Sequence, residues 1–431
     1  MFYLVLILLL LAACSRQQRE TVTFMTFGDP TEQAAYQELV DAFMEKYPDI
    51  DIEVTHIPSQ GDYRTRLATD YAAGTPPDVS LMNYRHMAAF AAKDLLTPLT
   101  EYLNESEIIQ PADFYPVALE AFNWRGELMC LPQNISSLVV YYNQDLFDAA
   151  GLPYPADTYP ADKYPADDWT WDEFLATAVA LTKDTNSDGQ IDQYGLGIAP
   201  ILFRVAPFVW QNGGVIVDDE ANPTALLLDV YPASEALAWF TALQTEYHVV
   251  PDRVAEASQD SESRFVAGST AMFLDSRRGT PSYREIESFT WDVAPLPRGK
   301  QEAGVLHSDG YCLSSVAANK EAAWQFIEFA NSPEGQTIVA QSGRTVPSLM
   351  AVAESPAFLD PTKPPAHSRV WLDTADTLRQ VPLISTWMEI ENTASEEIER
   401  AFYGDISPQD AGENARLRTQ EYFLLGETAG P

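Results

Sequence analysis

The amino-terminal part of the sequence alternates between two hydrophobic periods, and this limits the available folds more than any other feature. Thr21–Phe27 (TVTFMTF) is rich in strand formers and ends in Gly28-Asp29-Pro30. Thr31–Tyr47 then places Tyr36, Leu39, Val40 and Phe43 on one helical face. Asp49–His56 alternates as a strand does, Tyr63–Ala73 has helical spacing, and Asp78–Met82 forms a third strand after Gly74-Thr75-Pro76-Pro77. Strands joined by crossovers this long pair in parallel, so the fold class is α/β. The first and third strands end in Phe27-Gly28-Asp29 and Asn83-Tyr84-Arg85. Open α/β sheets place their clefts at such carboxyl ends.

A second unit of the same kind lies at Arg264–Arg278 (RFVAGSTAMFLDSRR). A helical pattern stops at Gly268, which is suited to a left-handed helix cap. Ala271–Leu274 follows as an uninterrupted apolar run, the pattern of a strand buried on both faces. The chain then turns abruptly polar at Asp275-Ser276-Arg277-Arg278. This unit reads as a grip, with nothing catalytic in it. Between the two units, Gly126–Pro132 and Ser137–Tyr142 read as strands flanking Gln133–Ser136, and His86–Leu103 reads as one Ala-rich helix. Later, His307–Tyr311 precedes the apolar pair Cys312-Leu313, and Arg344 shortly precedes Pro347.

Composition excludes several classes of function. With 63 acids against 26 bases, the net charge of −37 disfavours nucleic acid and anionic membrane surfaces. Neither G-x-S-x-G nor H-E-x-x-H occurs, and the five histidines have no metal-binding spacing. Asp184, Asn186, Asp188, Gln190 and Asp192 follow the D-x-N-x-D-G spacing of a calcium loop, but Gly195 holds the twelfth position, where a bidentate Glu is expected. A calcium site and a well-made polar turn are both open readings. Tyr-Pro-Ala-Asp occurs three times from Tyr154 to Asp167, which predicts a turn-rich surface loop.

Phe2–Leu11 is apolar but too short to span a bilayer, and it fits a signal-peptide core. Leu11-Ala12-Ala13-Cys14 resembles a bacterial lipobox. That resemblance implies a signal peptide at 1–13, lipidation of Cys14, a linker at 14–20 and a chain tethered to the outer face of the cytoplasmic membrane. Cys130 and Cys312 lie in apolar contexts, where buried free thiols are the plainer reading, although export also permits a disulfide.

Further tokens are YYNQDLFDAAGL at Tyr141–Leu152, WTWDEF at Trp169–Phe174, FVAGSTAM at Phe265–Met272 and AAWQFIEFANSPEGQ at Ala322–Gln336. In this order, with the lipobox, they resemble the family 1 extracellular solute-binding proteins of ABC transporters, the maltose- and sugar-binding group. The resemblance runs from about Thr21 to Leu425. It implies the type II periplasmic-binding-protein fold, two α/β lobes on a hinge. Lobe one would be 21–131 plus 300–346, and lobe two 132–299 plus 347–431. It further implies a sugar or oligosaccharide ligand, permease subunits as partners, no cofactor and no catalysis.

A sugar site needs flat apolar faces and fixed planar hydrogen-bonders. The polar clusters offer Asn83, Tyr84, Arg85, Asn134, Ser136, Arg204, Trp210, Asp275, Ser276, Arg277, Asp309, Tyr311 and Arg344, with Phe27 and Trp387 as further aromatics. Asn83-Tyr84, Ser136 and Asp275-Ser276-Arg277 correspond best in position to the family's site. Its acidic pocket position falls near Ser136, a departure that leaves the sugar's identity open. The rival readings are a binder of another polar solute, such as a polyamine, and a secreted glycoside hydrolase.

Overall fold

The structure, a computed structural model, describes residues 19–155 and 169–430. The expected leader, Cys14 and most of the triplicated Tyr-Pro-Ala-Asp run lie outside those residues. Among the described residues, no helix is long and apolar enough to cross a membrane.

Strand β1 (Glu20–Phe27) leads into helix α1 (Pro30–Lys46), β2 (Ile50–Ile57), α2 (Gln60–Ala72), β3 (Val79–Asn83) and α3 (Tyr84–Ala91). Local chemistry sets these boundaries. Asp29 caps α1 by accepting from the amides of Thr31 and Glu32, and Pro30 occupies the first turn, where its missing N–H costs nothing. Asn83 ends β3 and caps α3 through the Arg85 amide. The single helix expected over 86–103 is interrupted. It stops at Ala91, Asp94 takes φ 55°, and helix resumes only at Thr100, beyond Pro98.

The chain continues through β4 (Cys130–Pro132), β5 (Ser136–Ser137), β6 (Val139–Asn143), β7 (Tyr194–Gly197), α4 (Leu202–Gln211), β8 (Thr270–Asp275) and β9 (Trp291–Ala294). It then forms β10 (Gly304–His307), β11 (Asp309–Leu313), β12 (Leu378–Arg379), α5 (Trp387–Phe402) and α6 (Pro408–Leu425). All six residues of β8 are buried, as its apolar run predicts, and Gly268 before it has φ 80°.

Two sheets divide the molecule into two lobes. The first has the order β2-β1-β3-β11-β4, and the second β9-β6-β8-β7. In the first sheet β1 pairs in parallel with both β2 and β3, while β11 runs antiparallel between β3 and β4. In the second sheet β8 is parallel to β7 and antiparallel to β6. The chain crosses from β4 to β6 and back from β9 to β11, and it passes to the second side again before α5 and α6. The crossings meet in a small sheet of order β12-β10-β5, where His307 pairs with Ser136 and Leu306 with Ser137. Helix α5 packs against both α4 and α6 on the second side, and it also reaches α3. Aromatic packing holds the first lobe, with Phe24 and Phe43 meeting Phe326 at 5.1 and 5.3 Å between ring centroids.

The free-thiol reading of the cysteines is corrected. Cys130 and Cys312 form a disulfide. They are opposed in the β4–β11 ladder, with Cα atoms 4.3 Å apart, the close spacing of a non-hydrogen-bonded antiparallel pair. The bond ties the two crossing segments together within the first sheet. Replacing both cysteines by alanine should cost about 2–5 kcal/mol in urea unfolding. Dithiothreitol should lower the wild-type midpoint and leave the variant's unchanged; a wild-type midpoint indifferent to reductant would mean the thiols are not joined.

Candidate functional site

The strand ends of the two sheets face each other across a cavity of ≈ 160 Å³. From the first side come Glu32, Gln60, Asn83, Arg85, Asp309, Arg344 and Thr345. The crossings add Asn134, Ser136 and His307, and the second side adds Ile201, Phe203, Arg204, Ser276 and Arg278. Gln60, Asn83 and Arg85 also line a larger, more apolar cavity of ≈ 350 Å³, where they meet Phe27, Tyr63, Phe90 and Met388.

Asn83 organises the first side. Its Oδ1 accepts from Nε of Arg85 at 3.1 Å, and its Nδ2 donates to Asp309 Oδ1 at 3.0 Å. Arg85 then spans the gap between lobes. Its guanidinium lies 3.9 Å from the ring centroid of Phe203, and its Nη1 pairs with Glu391 Oε1 of α5 at 2.5 Å. Trp387 donates to the other Glu391 oxygen at 2.9 Å, so it supports the site from behind without lining it.

Arg204 answers from the second side. Its Nη1 contacts His307 Nε2 at 2.8 Å, and its Nη2 pairs with Asp275 Oδ1 at 3.3 Å. A guanidinium can only donate, so Nε2 accepts and the His307 proton resides on Nδ1. Burial, reinforced by the Arg204 charge, holds His307 well below its ordinary value and keeps it neutral. Asp275 is almost fully buried and also accepts from the Tyr283 hydroxyl at 3.0 Å.

Arg344 pairs with Glu32 Oε1 at 2.6 Å and donates to the Arg278 carbonyl at 3.3 Å. Glu32 folds back over Gly28, whose φ of 129° few other residues adopt, and where a Cβ would overlap the carboxylate. Burial pushes Glu32 up to about 8 against the pull of Arg344, and burial also raises Asp309. Among the described residues, Glu32 Oε2 has no hydrogen-bond partner.

Of the residues singled out from sequence, Asn83, Arg85, Asn134, Ser136, Arg204, Ser276, Asp309 and Arg344 share this cavity. The others are corrected. Tyr84 is buried and accepts from the Val381 amide, and Tyr311 is buried and accepts from Gln133. Trp210 is buried beside a separate cavity that includes Gln380 and Pro382. Arg277 lies between Phe358 and Trp371, at 4.6 and 4.7 Å, and donates to the Gly343 carbonyl and Ser368. It holds Gly343 against the packing of Phe358 and Trp371, while its neighbour Arg278 faces the cleft. Asp275 anchors two lining arginines without lining the cavity itself. Phe27 lines only the larger cavity.

The ligand-binding set drawn from the sequence left out Glu32, Gln60, Phe203, Arg278 and His307. Arg278 completes the polar tetrad after β8, and an acid one turn past Gly28-Asp29-Pro30 is a usable signal for Glu32. In the 184–192 loop, Asp184 accepts from the amides of Ser187, Asp188 and Gly189, and Asp192 accepts from Thr185 and Asn186. The described residues contain no group of three or more His, Cys, Asp or Glu that could hold a metal ion.

Comparison with known proteins bears on the same architecture. Residues 28–337 match the family described as bacterial extracellular solute-binding protein. The maltotriose-binding protein of Pyrococcus abyssi is 24% identical, over 76% of this chain and 66% of that one. The lactose-binding protein of Rhizobium radiobacter is 22% identical, over 84% and 83%. A solved ABC substrate-binding protein from Listeria monocytogenes, in complex with cycloalternan, superposes with TM-score 0.84 at 26% identity, covering 94% of this chain and 99% of that one.

One group of the larger cavity makes a pH prediction. His86 is mostly buried, and desolvation together with the nearby Arg85 and Arg64 lowers it to about 3. Its folded value lies below the unfolded one, so the unfolded chain takes up the proton first as pH falls below about 6.5, and stability is lost from there down towards the folded value. His86→Leu should reduce this acid loss by on the order of 2 kcal/mol at pH 5, read as the difference between urea unfolding at pH 7 and pH 5. Equal pH dependence in the two proteins would contradict a buried neutral imidazole.

Proposed function

The chain belongs to the bacterial extracellular solute-binding protein family, and on that premise we propose that it captures a sugar or oligosaccharide between its lobes and delivers it to the permease of an ABC transporter. The observation that carries this reading is the cavity between the strand ends. Planar hydrogen-bonders from both lobes line it, and the more apolar cavity with Phe27, Tyr63 and Phe90 adjoins it. The named ligands of the relatives, maltotriose and lactose, agree in chemical class.

In this reading lobe one comprises 21–131 plus 300–346, and lobe two 132–299 plus 347–431. Closure brings Arg85 to Glu391 and Phe203, and Arg344 to the backbone of Arg278, so that a guest between the strand ends is enclosed. The family places the chain outside the cytoplasm, and the lipobox would tether it there through Cys14. The mechanism is binding and release, and no step alters a covalent bond of the ligand.

A thermal-shift screen over mono- and oligosaccharides, polyols, polyamines and amino acids tests this. A ligand at a hundredfold excess over its Kd adds about 2.7 kcal/mol of stability. Sugars should raise the melting temperature and be recovered unchanged after long incubation. Asn83→Ala, which frees both Arg85 and Asp309, should weaken the best sugar at least about tenfold, roughly the worth of a charge-assisted hydrogen bond. Stabilisation by polyamines or amino acids alone, or cleavage of a bound sugar, would refute the proposal.

A further inference from the structure

The lining of the smaller cavity is unusual for this chain. Four arginines, Arg85, Arg204, Arg278 and Arg344, converge on it, in a protein with only 26 lysines and arginines against 63 acids. The carboxylates that neutralise them lie mostly behind the lining. Glu391 stands behind Arg85, Asp275 behind Arg204 and Arg278, and Glu262 behind Arg278. Each pairing leaves part of the guanidinium fork uncommitted. Arg85 uses Nε and Nη1, Arg344 uses Nε and Nη1, and Arg278 uses Nη2 on acids. Among the described residues, Nη2 of Arg85, Nη2 of Arg344 and Nη1 of Arg278 make no hydrogen bond.

The aromatic inventory points the same way. Phe203 is the one benzene ring in this lining, and its surroundings are already taken by the Arg85 guanidinium and by the His307 imidazole, 4.5 Å away edge-on. A neutral pyranose would find little flat apolar surface here, whereas the adjoining cavity offers Phe27 and Phe90. Of the two lining acids, Glu32 is already bridged to Arg344 and Asp309 already accepts from Asn83.

We propose that the ligand is an anionic sugar, its charged group seated among Arg85, Arg278 and Arg344 and its remaining rings extending into the larger cavity past Asn83. This rests on the solute-binding reading and narrows it. A uronic acid carboxylate and a sugar sulfate ester present the same chemistry, a fork of anionic oxygens that matches the planar donors of arginine. The acidic surface does not oppose it, because a desolvated cleft sets its own local field.

Isothermal titration of the purified protein with matched pairs tests the assignment. The pairs are D-galacturonate and digalacturonate against D-galactose and galactobiose, and D-glucuronate and glucose 6-sulfate against D-glucose. At least one acidic member should bind ten or more times tighter than its neutral partner, and the ratio should shrink as sodium chloride rises from about 50 to 500 mM. Arg85→Gln and Arg344→Gln should pull it towards one; the wild-type comparison decides even where a variant fails to fold. Preference for the sulfate over the carboxylates keeps the anion assignment and names its source. Neutral members binding as well as or better than the acids overturns the anion assignment and leaves the sugar reading intact. Binding by no member of any pair, with an amino acid or polyamine binding instead, overturns both.

Discussion

A ladder two residues long holds the two halves of this molecule in register. Ser136 of one crossing segment pairs with His307 of the other, and both side chains line the cavity. The covalent path between the sheets is therefore also part of the binding surface. The disulfide roots those crossings in the first sheet, and the Asn134 carboxamide accepts from the Asp309 amide where the second crossing enters it. Hinge motion can swing α4 and the residues after β8 relative to α1 and α3, but it cannot separate Ser136 from His307 without breaking strand pairing. The floor is fixed, and only the walls can move.

The walls carry the charge. Buried cations are expensive unless paired, and each lining arginine has its own acid. This arrangement explains why the chain uses arginine there and no lysine. A guanidinium can give one edge to a carboxylate behind it and keep another towards the cleft, which a compact ammonium cannot do with the same geometry. The cost of an unpaired group is visible in the neighbours Arg277 and Arg278. One is wholly buried between Phe358 and Trp371 and satisfied by a carbonyl and a hydroxyl, without an ion pair among the described residues. The other stays half-exposed on the cleft and pairs with Asp275 and Glu262.

That adjacency also explains how far the site could be read from sequence. Polar residues beside apolar runs predict a place, so Asn83, Arg85, Asn134, Ser136, Arg204, Ser276 and Asp309 could be picked out, and Arg344 from its place shortly before Pro347. Facing is harder. Tyr84 and Arg277 are buried while the residues on either side of each line the cleft, and Tyr311 sits two residues further along β11 than Asp309, inside the core of the first lobe. Trp210 looked like a stacking face and is core, the commoner fate of a large aromatic on an amphipathic helix. Glu32 escaped notice because its place depends on a backbone glycine one turn earlier. The Cys130–Cys312 bond depends on strand register across a separation of 182 residues, which no local pattern encodes.

Closure and recognition share the same side chains. Arg85 joins Glu391 and Phe203 across the gap, and Arg344 joins Glu32 on its own side to the Arg278 carbonyl on the other. A guest that engages the uncommitted donors of these arginines need not break the bridges between lobes, since it meets a different edge of each guanidinium. Binding then adds partners to residues already at the lobe interface, so the enclosed form gains from the ligand without losing its own contacts. The closed arrangement can stand without a guest and become tighter with one, which places the ligand's leverage in differential stabilisation of closure.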